Sequence, residues 1–525
     1  MSFAVLADFP LGTYRAHRGG GVLDEVISPA RLHAALLNAA GSGPRAVEND
    51  DGLGPCAADT AVLEWLERHP PDGLVLPPRA VTDGRMEHFR NDGTLFRSQG
   101  RYTVKKPGKR LPGAVAWSGL VGWCWSVPPE NAVQEALAAL CRDVAYLGMA
   151  ECPVRLHLGE TTSTHERAEV TAFEGTGIPM PAAVPGRAQE LERAHAAMTT
   201  AAPNVRQDAI GSDEKTVRAP VPSARLRTTH YRRSAPESVD VPGWPVPWET
   251  VVCVPLSREV PEEQRVAAAI SVHRGLIKRL DRLGIDVPPC VTGIYPQGQK
   301  RPANGAAIHF LPEQRSAWHR GPDDAPVLAV MIPAGVPEAA DAVEHAVPGL
   351  RPILTSRNGS PVRVAGTPVR VPAGDFWAPP VQGAVRWWET EPAAVPDLRP
   401  LRRNWSGADT IAASTALLWR DELAVPGRGD ARSRALAERV QELGVQVRDV
   451  RQVPGEAARF VHKTPKGAVV RPYRAVLHLS ELAGDRTVLA LGQSRHLGCG
   501  LLVPRDELPV TDEQPDPSVE NSSTA

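Results

Sequence analysis

The chain has 525 residues, with 59 basic against 60 acidic side chains and a formal charge of −1. That length suggests roughly three or four domain-sized units, and the 42% hydrophobic content is enough for ordinary globular cores. The neutral balance excludes a globally basic polyanion binder, so any nucleic-acid surface must be local. The 7 cysteines form no CxxC pair and no His/Cys cluster at zinc spacing. This points to reduced thiols in a cytosolic protein, with no metal centre and no cofactor. No run of about 20 apolar residues exists, so no membrane partner is expected. The first ten residues lack the basic start of a signal peptide, which again points to the cytoplasm.

In chain order, residues 2–9 read as a strand. Ser28 and Pro29 then open a helix to about Ala40, Ser28 serving as N-cap and Pro29 at the first helical position. A second helix is expected from Ala58 to Arg68, a strand from Leu120 to Val127, a helix from Pro128 to Leu147 ended by Gly148, and a strand from Cys152 to Leu158. Residues 176–245 are rich in Pro, Ala, Gly, Thr and Arg and read as a linker between a half at 1–175 and a half at 246–506. A strand over Thr250–Leu256 leads to an amphipathic helix from Pro261 to Leu283. Its inward residues are Val266, Ile270, Leu276, Ile277 and Leu280, and Gly284 is its stop. Strands are expected at 306–311 and 327–332, helices at 410–423 and 431–443, and late strands at 445–450, 474–479 and 487–491. The acidic, Pro- and Ser-containing residues 507–525 read as a disordered tail.

Two local stretches are basic without an interrupting acid: 97–110, including Lys105 and Lys106, and 215–233, including Arg232 and Arg233. Each reads either as a phosphate-contacting surface or as a solvated loop. Tyr102 and Tyr231, beside arginines, are candidates for stacking unpaired bases. Trp387-Trp388 reads first as core packing, with base stacking as the alternative. Near the C-terminus, an apolar run enters a loop with Gly492, Arg495, His496, Gly498 and Gly500 and leaves as a second apolar run. Glycines allow close backbone approach, and an arginine fork suits a phosphate. The spacing matches neither a dinucleotide fingerprint nor a P-loop. Binding RNA and making a tight turn both remain open for it.

Phe9-Pro10-Leu11-Gly12-Thr13-Tyr14-Arg15-Ala16-His17, followed by Ser28-Pro29-Ala30-Arg31-Leu32-His33, resembles the start of a CRISPR protein family. Val144-Ala145-Tyr146-Leu147-Gly148, Cys152-Pro153-Val154, Gly293 with Pro296 and Gly298, His309-Phe310-Leu311-Pro312, and the Gly492–Pro504 loop continue the match in order. The family is the type I-G (formerly I-U) fusion of a Cascade backbone-capping subunit with a CRISPR-repeat endoribonuclease, within the RAMP superfamily. The resemblance implies an α+β fold of two halves built on ferredoxin-like βαββαβ modules. It implies a repeat RNA hairpin and other Cascade subunits as partners, and Arg15 and the glycine-rich loop as RNA contacts.

The implied reaction is metal-independent: a general base, usually histidine, takes the 2′-OH proton and the alkoxide attacks the adjacent phosphate. His309, in the motif-like strand, is the first candidate; His273 and His319 are the others. Two positions depart from the family pattern, Ile294 and Ala307 standing where histidines are common. That weakens the case for cleavage and leaves RNA binding untouched, so a structural RNA-binding subunit is the alternative.

Overall fold

The computed structural model describes all residues except 18–22, 50–51, 83–84, 89–94, 99, 105–107, 112, 169–176, 201–221, 234–243, 312–324, 354–360, 399–404, 463–469 and 509–525. The expected tail at 507–525 therefore lies almost wholly outside the described residues, while 501–507 is a strand. Three antiparallel sheets organise the chain.

The first sheet has the order 155–161, 2–8, 121–125, 73–75, 165–168, 226–233, 178–183. Its first four strands, with the helices Pro29–Ser42, Ala57–Arg68 and Asn131–Asp143 between them, follow the β-α-β-β-α-β path with the first and third strands central. That is the ferredoxin-like order. The second sheet (307–311, 327–333, 248–255, 369–372) has the same path, with the helices Arg265–Leu283 and Pro337–Ala346 as its crossings. The third (446–452, 473–478, 385–391, 501–507, 489–490) repeats it once more. In the third sheet a 3₁₀ turn and the glycine-rich loop stand where the second crossing helix would be.

Local signals explain where the main elements begin and end. The Ser28 hydroxyl accepts the Arg31 amide at 3.3 Å and caps the first helix, and Gly284 stops the long helix at φ +68°. The helix expected to reach Leu147 ends at Asp143, and the strand after it starts at Arg155 rather than Cys152. The expected linker needs a larger correction. Ile178–Ala183 and Leu226–Arg233 are paired strands of the first sheet, and Arg187–Thr200 is a helix beside them. Tyr231, wholly buried with its hydroxyl donating to the Pro71 carbonyl, anchors that extension.

Between the second and third strands of the first unit runs a nested hairpin. Arg79–Thr82 pairs with Ala114–Trp117, Arg85–His88 with Gly108–Leu111, and Leu95–Ser98 with Arg101–Val104. The described residues of the basic 97–110 stretch lie in the outer two of these pairings; Lys105 and Lys106 lie outside the described residues.

The second and third sheets share one core. Val251, Cys253, Ala307, Leu311 and Met331 meet Trp388, Leu477 and Leu502 there. The opposite face of the second sheet, with Val252, Ile308 and Leu328, packs on its own helices.

The two halves meet through charge. Arg79 donates to His345 Nδ1 at 2.7 Å, Arg233 pairs with Glu344 at 2.5 Å, and Glu25 pairs with Arg279; within the second half, Arg370 reaches the same Glu344 at 2.6 Å and also pairs with Asp341.

Candidate nucleic-acid interface and catalytic residues

Strand alternation decides the fate of His309. It shares a face with Ala307 and Leu311, so it points between the second and third sheets and is only 1% exposed. Its Nε2 donates to the Arg495 carbonyl at 2.7 Å. Burial, with a smaller effect from Arg265 and against that carbonyl bond, lowers its pKa to about 4. A base must reach the proton it abstracts; this ring is engaged inside the core, which corrects the first choice of base.

The glycine-rich loop has a structural task. Ile308 N donates to the His496 carbonyl, and Ile308 bridges Leu497 in parallel, so the loop covers the free edge of the second sheet. Gly492, Gly498 and Gly500 have φ of +90°, +79° and +72°. A Cβ on them would fall on the carbonyls of Val395, Arg265 and Leu491 respectively. Close backbone packing therefore requires glycine at all three, and the tight-turn alternative is the one this geometry meets.

Arg495 turns inward as well. Its guanidinium donates to Asp397 at 2.9 Å, to the Gly492 carbonyl at 3.0 Å and to the Ala303 carbonyl at 2.9 Å. The fork expected on a phosphate is spent on Asp397, whose pKa burial raises although Arg495 opposes it. His496 Nε2 accepts the Gly305 amide at 3.1 Å, and burial, then Arg495 and Arg301, lower its pKa to about 3. Arg495→Ala is accordingly expected to lose about 2–3 kcal/mol of stability, because a buried carboxylate is left without its partner. Urea unfolding measures this, and an unchanged midpoint would refute it.

His273 is the remaining described candidate base. It sits half-buried on the helix Arg265–Leu283 and donates Nε2–H to the Val291 carbonyl at 2.7 Å. That bond places a proton on Nε2 and leaves Nδ1 as the ring nitrogen not engaged in it. His319 lies outside the described residues.

Beside His273 runs the loop 293–305, which sequence reasoning read for Gly293, Pro296 and Gly298 of the family pattern and for its missing histidine at Ile294. Ile294, Gln297, Gln299, Lys300 and Arg301 are exposed on it, with Arg274 and Lys278 exposed on the helix. Helical residues of the third unit tie this loop down. Asp421 accepts from Lys300 Nζ at 2.6 Å and from the Ala303 amide at 3.2 Å, while Asn304 donates to the Leu418 carbonyl. Lys300 nevertheless stays 77% exposed. The result is a positioned, exposed cationic loop next to half-buried His273.

The other expected contacts are dispersed. Arg15 faces Glu151 at 3.8 Å in the first half. Arg233 belongs to the charged contact between halves, and its neighbour Arg232 stands opposite Glu166 of the adjacent strand His165–Ala168. Among the described residues, no three His, Cys, Asp or Glu side chains converge as metal ligands, and no helix is long and apolar enough to cross a membrane.

No family model matches the chain, and no curated protein matches it. Among solved structures, one described as a Cas6 product complex is similar over 49% of this chain and 100% of its own, with 17% identity and a TM-score of 0.27. That degree of likeness assigns no function.

Proposed function

We propose that the chain is an RNA-binding subunit of a type I-G Cascade that binds the CRISPR repeat and cuts it by 2′-OH attack. The observation that carries this reading is the exposed basic loop 293–305 beside half-buried His273, within two ferredoxin-like units stitched by a glycine-rich loop. His273 acts as base, with His319 as its parallel candidate. Lys300, Arg301 and Arg274 supply positive charge to the phosphate. The basic arm of the first half takes the 5′ side of the guide, in keeping with a backbone-capping role beside other Cascade subunits.

Binding of a hairpin repeat should weaken steeply with salt, as counterion release requires. Cleavage should proceed in EDTA, leave a cyclic phosphate and fail on a 2′-deoxy substrate. His273→Ala should slow single-turnover cleavage about 100-fold with affinity nearly intact. Full activity in both His273→Ala and His319→Ala would remove these bases. Salt-sensitive binding without any cleavage by the unaltered protein would identify the structural-subunit alternative, for which the departures at Ile294 and Ala307 already speak.

A further inference from the structure

The third sheet carries a second constellation, remote in sequence from the loop 293–305. Along Val385–Glu391 burial alternates, so Arg386, Trp388 and Thr390 point into the core while Trp387 and Glu389 point outward. On that outward face Arg505 lies opposite Trp387 on one side, and the His478 ring approaches Trp387 at 5.4 Å on the other. The Arg448 guanidinium sits over the indole at 3.8 Å from the ring centroid and is oriented by a short ion pair to Glu507.

Arg448 comes from the edge strand Gln446–Gln452, which has pairing on one side only. The register of that strand shifts between Arg448 and Arg451, with Asp449 at φ +52°. A bulge of this kind re-aims side chains, and such backbone strain gathers at binding sites. Beyond it, Arg451 and Arg474 face each other across the pair. Cross-strand partners share a face, so four arginines (Arg448, Arg451, Arg474 and Arg505) stand on the outward side, where Glu507 pairs with Arg448 and Arg505, Asp449 lies near Arg448, and Glu262 accepts from Arg474.

A planar guanidinium backed by an indole, about 39% exposed, is a ready platform for a flat aromatic ligand in a cationic setting. We propose that this face is a stacking site for one unpaired nucleobase of a single-stranded RNA segment. The base lies on Arg448, Trp387 supports the guanidinium from beneath, and Arg451 meets a flanking phosphate, while Arg474 and Arg505, held by Glu262 and Glu507, add positive charge nearby. This rests on the RNA-binding reading and adds a site for the unpaired flank, separate from the cleavage locus.

The test uses the full chain and two labelled RNAs, one hairpin with a single-stranded flank and the same hairpin without it. Arg448→Lys keeps the charge and loses the planar stack. It is expected to raise Kd for the flanked RNA about 5- to 100-fold, the range of one base–aromatic stack, and to leave the blunt hairpin unchanged. Trp387→Ala should do the same, and Trp387→Phe should restore most of the affinity. Arg451→Gln, at an exposed position, should lower the salt slope for the flanked RNA by about 1. Unaltered affinity of Arg448→Lys for the flanked RNA, while the parent binds it, overturns this site and leaves the RNA reading standing. Equal weakening on both RNAs also overturns it, in favour of a duplex contact. Failure of the parent to bind either RNA removes both readings.

Discussion

Replacing Glu344 by Ala is expected to lower the unfolding free energy by about 3 kcal/mol, the low end for a broken buried pair, because it strands the largely buried Arg370 and the partly exposed Arg233. Glu344 receives Arg233 at 2.5 Å and Arg370 at 2.6 Å. Burial raises its pKa, but Arg370 and Arg233 outweigh burial and hold it below the ordinary glutamate value. With the carboxylate gone, Arg370 still pairs with Asp341, and the Arg233 amide still donates to Asp341, but among the described residues neither guanidinium has Glu344's charge replaced. The sign with pH follows. A lowered folded-state pKa contributes stability above the unfolded pKa, and that contribution is lost as pH falls through the folded value. Urea midpoints at neutral pH measure the loss. Arg370→Ala in the same chain should add much less than its separate effect, since both changes act on one network. Additive losses would show that the two groups are not coupled.

The second large effect is acid lability from buried neutral histidines. His165 is lowered to about 3, chiefly by burial, with Glu344 opposing and Arg233, Arg370 and Arg79 assisting. His309 is lowered to about 4 and His496 to about 3. In the unfolded chain each takes a proton near the ordinary value of about 6.5, whereas the folded chain refuses it until much lower pH. Stability from these groups is therefore full above about pH 6.5 and declines by up to about 1.4 kcal/mol per pH unit for each histidine on the way down. By pH 5 this is on the order of 2 kcal/mol per histidine. Asp341 and Asp397, raised by burial, work in the opposite direction. Urea titrations between pH 7.5 and 5 should show net proton uptake on unfolding, and His165→Gln should reduce that uptake by about one. A flat profile would mean these histidines are not held neutral.

Much of the fold was legible in local signals. The 3.6-residue apolar period of the helix Arg265–Leu283, its Gly284 stop and the Ser28 cap all act within a few residues, so a sequence window contains their cause. The strands at 178–183 and 226–233 were missed because their composition is that of a loop. They hold through pairing with each other and with His165–Ala168, along with a buried tyrosine. The hairpin arm escaped notice for a similar reason, since its three nested pairings are visible only as register.

The candidate site divides along the same line. By itself the sequence determined which residue types are present: a glycine-rich loop, an arginine, several histidines and two basic stretches. Tertiary structure decided what each one faces. Arg495 meets Asp397 from 98 residues away, and His309 meets the Arg495 carbonyl from 186 residues away. Both were thereby withdrawn from solvent, while the loop 293–305, whose charged residues drew no sequence reading, was left exposed and pinned beside His273. Period and capping are properties of a few consecutive residues. Burial is set by which distant strand covers a face, and no local pattern carries that information.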